Sequence, residues 1–198
     1  IIVTGTNDAP VATFVDPQVA TEDGAIVADN LTADDVDADD TLTFSLDAPI
    51  PGVTVNADGS WAFDPSDFAY QQLALGTPQA ITVNYTVTDS AGATSGNAFV
   101  ITVTGDNDAP QADFTTQQDV NEGDVVVNGQ VTENDIDAGD THTYSHDNGP
   151  IDGFTFTDAD GSWTFDPGHV TYDDLDAGDT LTITINYTVT EGRKKGLS

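Results

Sequence analysis

Two stretches of this chain copy each other at the interval of a whole domain, and that repeat limits the fold more than any other feature. GTNDAP (Gly5 to Pro10) returns as GDNDAP (Gly105 to Pro110), and DVDADDTLTFS (Asp35 to Ser45) returns as DIDAGDTHTYS (Asp135 to Ser145). DGSWAFDP (Asp58 to Pro65) returns as DGSWTFDP (Asp160 to Pro167), and ITVNYTVTD (Ile81 to Asp89) as ITINYTVTE (Ile183 to Glu191). Such spacing describes two tandem copies of one domain of about 100 residues. Copy one covers 6–105 and copy two 106–191. Residues 1–5 match the last strand of copy one and read as the end of a preceding repeat. Residues 192–198 form a basic tail, either foreign or terminal.

Within copy one, strands are expected at Val11–Val15, Ala25–Val27, Thr41–Leu46, Val53–Val55, Ser60–Phe63, Ala80–Thr88 and Ala98–Thr104. Period-two alternation puts Leu42, Phe44 and Leu46 on one face, and Ile81, Val83, Tyr85 and Val87 on another. SDFAYQQLALG is expected to form one helical turn. About seven short strands in about 100 residues, separated by turn signals, predict an all-β fold of two tandem immunoglobulin-like β-sandwiches. Trp61 with Phe63, and Trp163 with Phe165, read as core. Copy two is expected to lack its seventh strand. Ile1 to Thr4 has the sequence to fill that edge, in its own chain or in a neighbour, so self-association through an unpaired strand edge is one expected partner mode.

Charge then narrows the function. The chain has 35 acidic residues and three basic ones, for a net charge of -32. The three are Arg193, Lys194 and Lys195, so residues 1–192 contain no Lys or Arg. Solvent ions or bound metal cations must therefore screen the carboxylates; adaptation to salt is the alternative reading. Nucleic acid and anionic membranes would be repelled. No stretch is long and apolar enough to insert in a membrane. With no cysteine there is no disulfide staple. With no Met at position 1, the chain reads as a segment cut from something longer.

ITVTGDNDAPQADF resembles the linker of cadherin-like repeats, most closely the VCBS-type repeats of bacterial secreted adhesins, with the rhizobial adhering proteins as a similar subgroup. Asp106, Asn107 and Asp108 fall on the Asn-Asp-Asn positions of that linker, with Thr104 in place of its leading Asp. Glu22 and Glu122 match the early Glu of each repeat. Asp35-Val36-Asp37 and Asp135-Ile136-Asp137 match its Asp-x-Asp loop. The resemblance implies extracellular tandem β-sandwiches, often exported by type I secretion, that bind Ca²⁺ and adhere to matrix or polysaccharide.

Ca²⁺ takes six to eight oxygen ligands, which short Asp/Asn loops supply. The expected ligands at the junction are Asp106, Asn107, Asp108, Glu122, Asp135 and Asp137. Asn7, Asp8, Glu22, Asp35 and Asp37 are the equivalent set in copy one. Asp40 and Asp140 either join these loops or start the next strand. The expected activity is calcium-dependent adhesion, with Ca²⁺ bridging to an acidic polysaccharide. A stiff spacer without a ligand of its own is the alternative. Paired carboxylates would suit glycoside hydrolysis, but no nucleophile–base or phosphate-loop pattern appears, so an enzyme is not expected. His142 and His146, standing where copy one has Leu42 and Leu46, suggest a transition-metal pair or a repacked core face.

Overall fold

The computed structural model describes residues 1–37, 39–113 and 117–192. The expected basic residues Arg193, Lys194 and Lys195 lie outside them. The described residues form two compact units, the first ending at Asn107 and the second starting at Asp108.

Unit 1 contains β1 (Val11–Ala12), β2 (Gln18–Thr21), β3 (Val27–Asn30), β4 (Ala33–Asp34), β5 (Thr43–Leu46), β6 (Val53–Val55), β7 (Ser60–Phe63), β8 (Pro78–Thr88) and β9 (Thr94–Thr104). One sheet has the order β2-β9-β8-β5, the other β3-β7-β6, and β1 pairs with β4. All pairings are antiparallel except β2 with β9. The alternation in β8 buries Ile81, Val83, Tyr85 and Val87 and turns Thr82 and Asn84 outward. Both sheets contribute to one core. Phe99 of β9 lies 4.7 Å from Trp61 of β7 and 5.1 Å from Phe14, ring centre to ring centre. Tyr85 keeps its ring buried and donates its hydroxyl to the Phe14 carbonyl at 3.0 Å. A buried phenol needs such a partner. No helix forms over SDFAYQQLALG; successive turns occupy it.

Unit 2 contains β10 (Gln111–Asp113), β11 (Val127–Gln130), β12 (Thr132–Asn134), β13 (Thr141–His146), β14 (Phe154–Thr157), β15 (Ser162–Phe165), a 3-10 turn at Val170–Tyr172, and β16 (Tyr187–Gly192). Its sheets are β11-β15-β14, β13-β16 and β10-β12. Every strand of unit 1 has a counterpart here except β2 and β9, the two that pair with each other. This has a simple physical cause. In unit 1, β9 bonds along the whole of β8, while β5 reaches only Tyr85–Thr88. Without a β9 counterpart among the described residues, 180–186 joins no strand, although the Asn186 carbonyl accepts from the Asp147 N–H at 2.8 Å, and β16 starts only at Tyr187. Asn148 supplies a local substitute: its amide accepts from the Asn186 N–H at 2.7 Å and donates to the Thr184 carbonyl at 3.0 Å. Residues 118–121, which match β2, are likewise outside any strand. Trp163 is only half-buried where Trp61 is sealed. Ile1 to Thr4 is exposed and belongs to no strand.

The Asp-Gly turn between β6 and β7 shows why the repeat keeps glycine there. Gly59 has φ +88°, and a Cβ on it would stand 3.1 Å from the Leu31 carbonyl and the Phe44 ring. Before it, Asp58 accepts the Ser60 hydroxyl and N–H at 2.7 and 3.0 Å, and these bonds hold its carboxyl below the ordinary range. The matching turn of unit 2, DADG (Asp158 to Gly161) between β14 and β15, is one residue longer: the Gly161 N–H bonds the Thr157 carbonyl, where that of Gly59 bonds Asn56.

Phe99→Ala should destabilise unit 1 by about 3–5 kcal/mol, the range for truncating a buried aromatic. Urea unfolding followed by tryptophan fluorescence in a Trp163→Phe background reads unit 1 alone. A loss under about 1 kcal/mol would contradict the core described here.

Candidate metal centre

The Asp-x-Asp loop has the same internal geometry in both units. The Asp35 carboxylate accepts from the Asp37 N–H at 2.9 Å, and Asp135 from the Asp137 N–H at 3.0 Å. This local turn is what Asp favours when no ladder competes for its backbone. The second Asp of each loop then reaches back to the Asn-Asp segment. Asp37 Oδ2 accepts from the Asp8 N–H, and Asp137 Oδ2 from the Asp108 N–H, each at 2.8 Å.

Each loop also meets the acid that ends the matched strand. In unit 1, Asp35, Asp40 and Asp89 each place a carboxylate oxygen within 4.8 Å of the others; in unit 2, Asp135, Asp140 and Glu191 do the same. Asp40 and Asp140 therefore join the loops. Asp89 is 5% exposed and accepts from the Asn7 amide at 2.9 Å and the Ala93 N–H at 2.8 Å. The Asn7 bond, with backbone N–H groups assisting, holds its carboxyl below the ordinary range, so it is ionised.

Asp89 and Glu191 were not among the residues picked from sequence. The signal was present: the repeat keeps an acid there although its length changes. The remaining expected ligands are placed differently. Glu22 is 1% exposed, and its Oε2 accepts from the Asp106 N–H at 3.1 Å. Asp106 itself is exposed and accepts from the Asn107 N–H at 2.9 Å. Glu122 is exposed and outside both clusters. Glu22 is held against the segment that follows β9, and unit 2 has no β9 counterpart among its described residues to do this for Glu122.

Several of these oxygens are buried without a partner: Asp35 Oδ2, Asp40 Oδ2 and Asp137 Oδ1. Desolvating a carboxylate oxygen without a donor is costly. Burial pushes the Asp137 carboxyl above its ordinary value of 3.8. The charges of Asp108, Asp135 and Asp140 add to this, and the Asp108 N–H opposes it. An all-oxygen, negatively charged, underdonated cluster fits a hard cation. The His142 ring lies between two carboxylates, with Nδ1 3.2 Å from Glu133 Oε1 and Nε2 2.8 Å from Asp135 Oδ2. His146 instead packs on Phe154 and Phe156, with ring centres 5.8 and 5.6 Å away, so the two histidines form no metal pair.

A family model described as a bacterial cadherin-like domain matches residues 7–105. Among solved structures, PcdhgB3 EC1-4 aligns with a TM-score of 0.56 at 14% identity, over 96% of this chain and 47% of that one. Protocadherin Gamma B7 extracellular cadherin domains 1-4 aligns with a TM-score of 0.53 at 19% identity, over 94% and 46%. Human protocadherin-24 EC1-2 aligns at 22% identity over 93% and 94%, with a TM-score of 0.49. The chain spans less than half the length of the first two, and 28% of a protocadherin GammaB4 extracellular domain. At these identities the likeness shows the fold alone. No curated protein matches the chain.

With chelated protein, raising the pH past 3.8 should ionise Asp137 in the unfolded chain before the folded one, so unit 2 loses stability over that window. Asp137→Asn should remove that part of the fall and melt higher than wild type at neutral pH without metal. Thermal melts across pH in a Trp61→Phe background test this; an unchanged pH slope in the variant would contradict it.

Proposed function

The chain belongs to the bacterial cadherin-like domain family, and from that premise we propose that it is an extracellular adhesion module whose acidic loops are held closed by Ca²⁺. The observation that carries this reading is the recurrence, in both units, of three converging carboxylates backed by buried oxygens without donors. In unit 1 the ion would be held by Asp35, Asp40 and Asp89, with Asp37 and Asp8 bracing the loop. In unit 2 it would be held by Asp135, Asp140 and Glu191, with Asp137 and Asp108 in the bracing places. Glu22, Asp106 and Asn107 offer further oxygens to unit 1. Glu122 remains a ligand candidate from its repeat position alone.

Bound Ca²⁺ supplies a divalent positive charge in a stretch, residues 1–192, that has no Lys or Arg, so loops that repel when bare become ordered. The chemistry also limits the ligand. An anionic polysaccharide meets a surface of net charge -32 and needs a cation between the two. We therefore favour calcium-dependent binding of an acidic matrix or surface polysaccharide, as in VCBS-type repeats of adhesins such as the rhizobial adhering proteins, exported by type I secretion. No helix among the described residues is long and apolar enough to cross a membrane. A calcium-stiffened spacer is the second reading, favoured by the tandem repetition itself. Self-association through the edge of β16 belongs to the same proposal; a monodisperse monomer by sedimentation at high concentration would exclude it.

Asp89→Asn and Glu191→Gln should each lower calcium affinity at one site by about tenfold or more, near 1.4 kcal/mol, and calorimetry on the two variants assigns the sites. Co-sedimentation with an acidic polysaccharide should occur in Ca²⁺ and vanish in EDTA. Binding in neither condition would leave the spacer reading.

A further inference from the structure

Unit 1 shows what the open side of unit 2 is shaped to receive. The second half of β9 lies between two strands: Ile101–Thr104 pairs in parallel with Gln18–Thr21 of β2 and antiparallel with Pro78–Ile81 of β8. Ile101 and Val103 point inward and are fully buried. The matching flanks of unit 2, residues 118–121 and 180–183, are outside any strand. At the two positions that flank inward Val103, unit 1 has Ala20 and Gln79. Unit 2 is more apolar there, with Val120 and Leu181, and both are exposed, Leu181 at 58%.

The chain carries a strand that fits. IIVTG (Ile1 to Gly5) matches ITVTG (Ile101 to Gly105). Ile1, Ile2 and Val3 are the most exposed large apolar side chains among the described residues. Strand alternation puts Ile1 and Val3 on the face that Ile101 and Val103 bury. In the register of unit 1, Val3 stands opposite Leu181 and beside Val120, so three exposed apolar side chains converge. Gly5 is an independent sign. A Cβ on it would meet nothing within 4 Å, so its own surroundings do not require glycine. A Cβ on Gly105 would stand 2.4 Å from the Leu73 carbonyl oxygen. That backbone lies against the turn before β8, donating to the Thr77 carbonyl at 3.0 Å and accepting from the Gly76 N–H at 2.9 Å. Unit 2 keeps this turn. The Asp179 N–H bonds the Asp176 carbonyl at 2.8 Å, as Thr77 bonds Ala74 at 2.9 Å, and Gly178 has φ +100° where Gly76 has +74°. The seat for the glycine is preformed. Asn7 and Asp8 are held on unit 1 by Asp89 and Asp37, so Ile1–Thr4 can reach a neighbour without disturbing unit 1.

We propose that unit 2 is completed by a second copy of this chain, whose Ile1–Thr4 enters as a strand parallel to 118–121 and antiparallel to 180–183, with Ile1 and Val3 inward and Gly5 on the Asp176–Asp179 turn. Main-chain hydrogen bonds supply the affinity, as in β-strand addition, and the alternating apolar side chains set the register. Copies then join head to tail through a heterologous contact. The joint repeats one already present in unit 1. There Glu22 takes the Asp106 N–H on its side chain and donates its own N–H to the Thr104 carbonyl at 2.9 Å. Thr6 and Thr4 stand in those places for Glu122. A strand this short buries too little surface for a tight complex, so the association is weak and concentration-dependent. The proposal rests on the reading that the β16 edge self-associates, and adds the occupant and its register.

The chain has no cysteine, so introduced ones report the register. Val3→Cys and Leu181→Cys are made in separate full-length chains, mixed at high concentration in Ca²⁺ and oxidised. Directly opposed residues fall within disulfide reach. The mixture should therefore give a disulfide heterodimer, read by mass. Ile2→Cys mixed with Leu181→Cys is one residue out of register and faces the other side, and should not. Adding Gly5→Val to the Val3→Cys chain should abolish the product while leaving its β-sheet circular dichroism unchanged. Equal yields from both mixtures, or a yield that Gly5→Val does not lower, overturns the proposal. So does a chain carrying both Val3→Cys and Leu181→Cys that closes only on itself. Sedimentation of wild type separates this proposal from the reading beneath it. Association without the in-register cross-link overturns the inserted strand and leaves the edge reading standing, and a monomer at every concentration overturns both.

Discussion

Repulsion between carboxylates is the constraint that the rest of this structure answers to. Residues 1–192 hold no lysine or arginine, so each acid is stabilised by an N–H, a hydroxyl, a histidine, an ion or water. Many acids are met within the chain. Asp58 and Asp160 are held by the serines two residues on, and Asp89 by Asn7 and Ala93. The loops at Asp35–Asp40 and Asp135–Asp140 are different. They spend their N–H groups on one another's carboxylates and still leave buried oxygens without donors. Coulomb repulsion among such groups grows as water is excluded. The proposed divalent cation would satisfy several of them at once.

The apolar core and the acidic loops are linked through one strand pair. β9 completes the core with Phe99, Ile101 and Val103, bonds along all of β8, and brings the chain to Asp106, whose N–H meets the buried Glu22. Where the described residues offer no such strand, three things change together. Residues 180–186 are not a strand, Trp163 is only half-buried, and Glu122 is exposed. The carboxylate cluster of unit 2 nevertheless persists, because β13 pairs with β16 and the Asp-x-Asp turn is local. The carboxylate cluster depends on the β5/β8-type pair and the sandwich core on β9.

Much of this was legible in sequence because it is local. Period-two alternation located β6 and β7 to the residue, and the tandem repeat announced the loops twice. Interactions between distant segments were not legible. β2 and β4 are short, and β2 exists only because β9 lies alongside it in parallel, a pairing that leaves no local pattern. The expected helical turn near Ser66 gave way to tight turns anchored by Asp64 and Asp67 side chains accepting backbone N–H groups. Asp89 looked like the last residue of a strand. Its role emerges only when the register of β5 against β8 brings it to the Asp35 loop. The histidine positions were visible as departures from leucine, but Glu133 was not, since its link to His142 spans two strands.

Every part of this account turns on whether a specific divalent cation, rather than ionic strength, relieves the carboxylates. The direct measurement is calorimetric titration of Ca²⁺ into EDTA-stripped protein, with a thermal melt of the stripped and the saturated protein at matched ionic strength. The account predicts saturable binding and a raised melting temperature, worth about 2.7 kcal/mol per site at 100 times the dissociation constant. No saturable heat, with melting that responds alike to Na⁺ and Ca²⁺, would contradict it.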